Sequence, residues 1–147
     1  MTTEESTKPR IVAGIDGSPS SQRALEWAAR QAELTDSELE VIAAWEWPEN
    51  LGWGVIPDGY NPASDAQKAL EPIVLSLRAA HPKITVTFKI VEGHPAPVLV
   101  KASRGAELLI VGSRGHGEFI GMLIGSTSEH CVTNAACPVV VVRESAS

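Results

Sequence analysis

The residues of this chain best suited to chemistry lie between positions 108 and 128, in the segment LLIVGSRGHGEFIGMLIGSTS. Leu108, Leu109, Ile110 and Val111 form a short apolar run of the kind that makes a buried parallel strand. Gly112 ends that run, Gly115, Gly117 and Gly121 follow, and Gly125 opens the hydroxyl-rich Ser126-Thr127-Ser128 at the head of a helix-like stretch. Glycine lets the main chain come close to an anion and turn its N–H groups toward it. A helix N-terminus adds unpaired N–H groups and the positive end of its dipole. Ser126 and Thr127 add hydroxyl donors. Strand, glycine loop and helix start are the parts of a phosphate cradle. The spacing is Gly112-x2-Gly115-x9-Gly125-Ser126. It is not a P-loop, because no lysine precedes the serine. Nor is it G-x-G-x-x-G, whose glycines are closer together. The alternative is a loop whose glycines only make tight turns.

A cradle of this kind must be held by strands and helices, and the rest of the chain supplies them. Residues 10–15 read as a buried first strand. Ser18 is a good N-cap and Pro19 a good first residue for a helix over 19–34, with Leu25, Ala28, Ala29 and Ala32 as its apolar stripe. A strand over 40–45 follows, then a long aromatic and glycine-rich loop over 47–62, suited to a lid or a satellite cluster. The next helix is expected over 64–80, with Pro72 kinking it or moving its start. Alternation over 83–90 predicts a strand near a sheet edge. A turn at 91–96, a short helix, the cradle, a helix to about residue 135 and the strand Val139–Val142 complete the order. His94, before a proline, reads as a turn residue rather than an acid or base.

Strict alternation of strand and helix predicts an α/β fold: a single-domain, doubly wound, five-stranded parallel sheet, strand order 3-2-1-4-5, with helices on both faces, Rossmann-like. In such sheets ligands bind at the carboxyl ends of the strands where the winding reverses. Asp16, past the first strand, and Gly112, at the end of the fourth, fall on the two sides of that crevice. Asp16 is also suited to an Asx-turn. The last strand becomes an edge, and an uncharged Val139–Val142 edge calls for a partner strand from a second copy.

At 147 residues the chain has the length of one domain that buries roughly 70% of its unfolded surface. The 44% hydrophobic and 20% charged fractions suit a globular chain, and the net charge of −6 argues against a nucleic-acid surface. Cys131 and Cys137 have no partner pair for a zinc site and read as buried thiols. Residues 1–9 read as a disordered lead-in without the apolar core of a signal peptide, and no apolar run reaches membrane-spanning length. The expected location is the cytoplasm.

The G-x2-G-x9-G-[ST] spacing, in its strand–loop–helix setting, resembles the ATP-binding members of the universal stress protein family. The resemblance extends over residues 10–143 as one domain. It implies that Gly112, Gly115, Gly125, Ser126 and Thr127 hold the phosphates of ATP, with Ser113, Arg114 and His116 adding to them. It implies that Asp16 lies on the ribose side or near Mg²⁺, that Val111 packs on adenine or ribose, and that Trp45 and Glu46 lie on the adenine side. Trp45 reads equally as a core residue at a strand end. No metal ligand is assigned beyond Mg²⁺ on the phosphates, with Asp16 beside it. The implied protein is a nucleotide-dependent stress regulator that dimerises through its last strand and is no efficient enzyme, since no base stands beside the cradle. A dimeric interaction module in which nucleotide is incidental is the alternative. An adenylating enzyme of related fold would carry a HIGH-like histidine pair, which is absent.

Overall fold

Five apolar strand segments separated by amphipathic helices bury both strand faces by forming one parallel sheet between two helical layers. The computed structural model of the chain, which describes residues 8–47, 58–114 and 124–143, has this form. Its elements are β1 (Arg10–Gly14), α1 (Pro19–Thr35), β2 (Glu38–Trp45), α2 (Pro62–Ala80), β3 (Val86–Glu92), α3 (Pro95–Ala102), β4 (Leu108–Gly112), α4 (Ser126–Asn134) and β5 (Val139–Val142). The strand order is β3-β2-β1-β4-β5 and the pairings are parallel. The expected architecture is the observed one.

Alternation along the strands divides the core. Ile11, Ala13, Val41, Ala43 and Ile110 face α1 and α2, against Leu25, Ala28, Val74 and Leu77. Val12, Ile42, Leu109 and Val111 face the other way, against Leu99 of α3 and Cys131 of α4. The two layers differ in depth. Helices α1 and α2 have 17 and 19 residues, α3 and α4 only 8 and 9.

Element boundaries depart from the sequence reading at the start of β2, which lies at Glu38 instead of residue 40, and at α2 and β3. Helix α2 starts at Pro62 because the Asn61 side chain accepts the Ser64 N–H at 3.1 Å and caps it there. It then runs through Pro72 unbroken. Pro72 and Lys68 lie on the exposed face, where water replaces the hydrogen bond that proline cannot make. Strand β3 is displaced toward the C-terminus, and residues 82–84 form a turn instead. Its register against β2, from Leu39↔Val86 to Trp45↔Glu92, recruits Val91 and Glu92 into the strand. Residues 1–7 of the expected lead-in over 1–9, and residues 48–57 of the expected loop over 47–62, lie outside the described residues. No helix among the described residues is long and apolar enough to cross a membrane.

Candidate functional site

Where the winding reverses, between the carboxyl ends of β1 and β4, the surface opens into a narrow cleft of about 80 Å³. Gly14, Ile15 and Asp16 line one side, and Val111, Gly112 and Arg114 the other. Ile42, Ala44, Pro95 and Leu99 extend the apolar wall, while Ser21, Thr127 and Ser128 bring hydroxyls. Helices α1, α3 and α4 all begin at this cleft, through Ser21, Pro95 and Thr127, so the positive ends of three dipoles meet there. Helix α4 starts at Gly125 without a side-chain cap.

The frame of the site is main chain held by hydroxyls. Gly112 lies against the first turn of α1, and a Cβ there would fall 2.6 Å from Ser20 Oγ and 2.7 Å from the Ser20 carbonyl carbon. Glycine at 112 is therefore a close-packing residue as well as a cleft residue. The Ser128 hydroxyl donates to the Gly112 carbonyl. The Ser113 N–H donates to Val142 O at 2.8 Å, and the Gly125 N–H donates to Ser113 O. The last of these bonds pinches the loop shut at its base, joining the residues on which it leaves β4 and enters α4. The Ser20 and Ser18 hydroxyls both donate to the Arg114 carbonyl, Ser18 at 3.3 Å, and the Arg114 N–H donates to Ser20 Oγ at 3.3 Å.

Of the residues singled out from sequence, Asp16, Val111, Gly112, Arg114 and Thr127 line the cleft. Ser113 is buried behind it, Gly125 is the cap of α4, and Ser126 is its exposed first residue. Gly115 and His116 lie outside the described residues, as do Gly117 and Gly121. Asp16 makes the Asx-turn: its Oδ1 accepts the Ser18 N–H at 2.9 Å, and its own N–H donates to Ser21 Oγ at 3.3 Å. Trp45 and Glu46 are not among the cleft-lining residues. The Trp45 carbonyl accepts the Gly93 N–H at 2.7 Å, and its ring meets Trp47 edge-on with centroids 5.5 Å apart. Trp47 in turn meets Tyr60 at 5.9 Å, so the two ends of the aromatic loop are drawn together. Glu46 pairs with His94 Nδ1 at 3.0 Å, and His94 is the N-cap residue of α3.

The apolar wall of Ile15, Ile42, Ala44 and Leu99 was not singled out from sequence, since such residues read as core until the sheet places them. Cys131 packs behind the cleft, fully buried, with its thiol pushed up to about 11 by desolvation. Cys131 and Cys137 are both free thiols. Among the described residues no group of three His, Cys, Asp or Glu side chains is placed to hold a metal ion.

Comparison with known proteins bears on the family and the fold. The model of the universal stress protein family matches residues 9–143. The universal stress protein Rv2623 of Mycobacterium tuberculosis is 38% identical over 145 residues, covering 91% of this chain and 47% of that protein. The universal stress protein Rv1996 of the same organism is 34% identical over 139 residues, 90% of this chain and 43% of that one. The chain spans about half the length of these curated relatives. Among solved structures, UspA from Lactobacillus plantarum superposes with a TM-score of 0.75 at 18% identity, covering 95% of this chain and 100% of that one. A universal stress protein in complex with cAMP superposes with a TM-score of 0.67 at 26% identity, again over 95% and 100%. By family match and by relatives above 30% identity, the chain belongs to the universal stress protein family.

Proposed function

We propose that this protein is a nucleotide-dependent regulator of the stress response that binds ATP, carried with Mg²⁺, in the cleft between β1 and β4. The observation behind the reading is the two-part character of the cleft. Ile15, Ile42, Leu99 and Val111 offer an apolar slot suited to a purine. Beside it, three helix starts converge with Arg114 and the Gly112-x2-Gly115-x9-Gly125-Ser126 spacing, which suits phosphate. The 26% identical relative solved with cAMP supports an adenine nucleotide as the ligand class.

In this reading the base fills the slot and the ribose lies beside Asp16. The phosphates turn toward Arg114, Ser126 and Thr127, and the family resemblance assigns Gly115 and His116 to them as well. Asp16 is the one carboxylate among the described lining residues, and one of its oxygens already accepts the Ser18 N–H. The set is too small for a preformed cation site, so Mg²⁺ arrives on the phosphates. The protein acts by binding, in the cytoplasm. Any hydrolysis is slow and follows from polarisation of the phosphates by Mg²⁺.

The test is the nucleotide content of gently purified protein, denatured and read by mass spectrometry, beside a Gly115→Val variant. ATP or ADP near one per chain, absent from the variant, is the expected result. Wild-type protein that is empty and shows no Mg-ATP binding by calorimetry would sink the reading.

A second reading, a dimeric interaction module in which nucleotide is incidental, is favoured by the β5 edge. Pro138 O and Val142 O accept from Leu109 of β4 and from Ser113 just past it, at 3.0 and 2.8 Å. The main-chain groups of Val139 and Val141 therefore point outward from the sheet edge. A two-fold copy paired along them would bury four valines from water. Both readings share this homodimer. A dimer whose partner binding is unaffected by Gly115→Val would decide for the module.

A further inference from the structure

We infer that Ser20 is the positioning residue of Arg114: its hydroxyl fixes the main chain there, just past the end of β4, and so sets how Arg114 meets the ligand. The ligand half of this inference rests on the nucleotide reading above; the main-chain half rests on geometry alone.

Ser20 is 1% exposed and belongs to the first turn of α1. A serine deeper in a helix returns its hydroxyl to a carbonyl one turn back. In the first turn no such helical carbonyl exists, and the hydroxyl is available to a partner outside the helix. Here that partner is the main chain of Arg114. One hydroxyl donates to the Arg114 carbonyl and accepts from the Arg114 N–H, using both halves of its hydrogen-bonding capacity. Ser18 gives the same carbonyl a second donor at 3.3 Å, but its oxygen also caps the Ser21 N–H. Among the described residues only Ser20 engages both groups.

The clasp has room because residue 112 is glycine. Any side chain at 112 would occupy the space of Ser20 Oγ. Arg114 lines the cleft while its main-chain N–H and carbonyl are committed to α1. Ser20 thus decides where Arg114 stands without lining the cleft itself.

Ser20→Ala in the full chain tests this. The scissile carbonyl for trypsin at Arg114–Gly115 is the one that Ser20 holds, so limited tryptic cleavage reports the clasp independently of nucleotide. Cleavage after Arg114 is expected to rise about tenfold, as for a lost buried hydrogen bond, with cleavage after Arg78 and Lys101 unchanged. The Kd for Mg-ATP by calorimetry is expected to weaken by a similar factor. Uniform acceleration at all sites, or none, would overturn the clasp and leave Ser20 a packing residue. Selective acceleration with unchanged Kd would overturn its role toward the ligand. Wild-type protein that binds no nucleotide defeats the nucleotide reading instead, and the cleavage pattern still judges the clasp. If Ser20→Ala does not fold, hydrogen exchange of the wild type decides. An Arg114 amide protected like that of Ile110 supports the clasp, and one exchanging like an open loop overturns it.

Discussion

His81 Nε2 stands 2.9 Å from Glu26 Oε1, joining the C-terminal end of α2 to the middle of α1. The other ring nitrogen, Nδ1, meets Glu33, two turns further along the same face of α1. His81 is 8% exposed, and both of its nitrogens face carboxylates, an arrangement that favours the imidazolium, in which both donate. Burial alone lowers its pKa. The hydrogen bonds to Glu33 and Glu26, and then their charges, outweigh burial and hold it above the ordinary 6.5.

This clasp makes stability depend on pH with a definite sign. A folded-state pKa raised above the unfolded one contributes stability that is complete below about 6.5 and is lost as pH rises through the folded value. The urea midpoint is therefore expected to fall from about pH 6 to about pH 9, and more steeply for the wild type than for His81→Gln. A difference between the two that stays flat across that range would show the ring to be neutral.

Gly112→Ala and Gly14→Ala separate two kinds of crowding. At 112 the new methyl meets main chain, 2.7 Å from Ser20 C and 2.8 Å from Ser21 N, which cannot retreat without moving α1. At 14 it meets the tip of the Leu99 side chain at 2.6 Å, which can rotate. Chemical denaturation is expected to show a loss of roughly 1–3 kcal/mol for Gly112→Ala and less for Gly14→Ala. The reverse order would contradict the packing of β4 on α1.

The two thiols should differ in reactivity. Cys131 is fully buried with its pKa near 11, whereas Cys137 is half-buried and its pKa is raised by desolvation. A disulfide reagent near pH 8 is expected to label Cys137 slowly and Cys131 only on unfolding. Cys137→Ser protein that still reacts while folded would mean that α4 opens.

Val141→Pro removes an outward N–H from the β5 edge while leaving the bonds from Pro138 O and Val142 O to Leu109 and Ser113 in place. If the homodimer forms along this edge, sedimentation is expected to show a dimer for the wild type and a monomer for the variant. A variant that stays dimeric would move the interface elsewhere.

The strand order was legible because the runs at Ile11 and Leu108 are apolar on both faces, which only central parallel strands require. The start of β3 was not. Lys83, Ile84 and Thr85 alternate as well as any strand, and pairing with β2 alone decides the register. At the site, Asp16, Gly112, Arg114 and Thr127 were visible because polar residues and glycine at strand and helix ends are unusual enough to question. Ile42 and Leu99 were not, because an apolar residue looks the same in sequence whether it faces core or cleft. The tie from Ser20 to Arg114 spans 94 residues, and no local pattern announces it.

The unequal depth of the two helical layers has a thermodynamic consequence. Helix α1 alone buries seven residues, while α3 buries Leu99 and α4 buries Ser128 and Cys131. The shallow layer has less apolar contact to lose, so it opens at a lower free energy than the deep one. The cleft takes Leu99, Val111 and Thr127 from that shallow side, and Ile15 and Ser21 from the deep one. A molecule seated there would supply the contacts that the short helices lack, binding the closed state and not the open one. The concentration of that molecule would then be written into the rigidity of one face while the other stays constant.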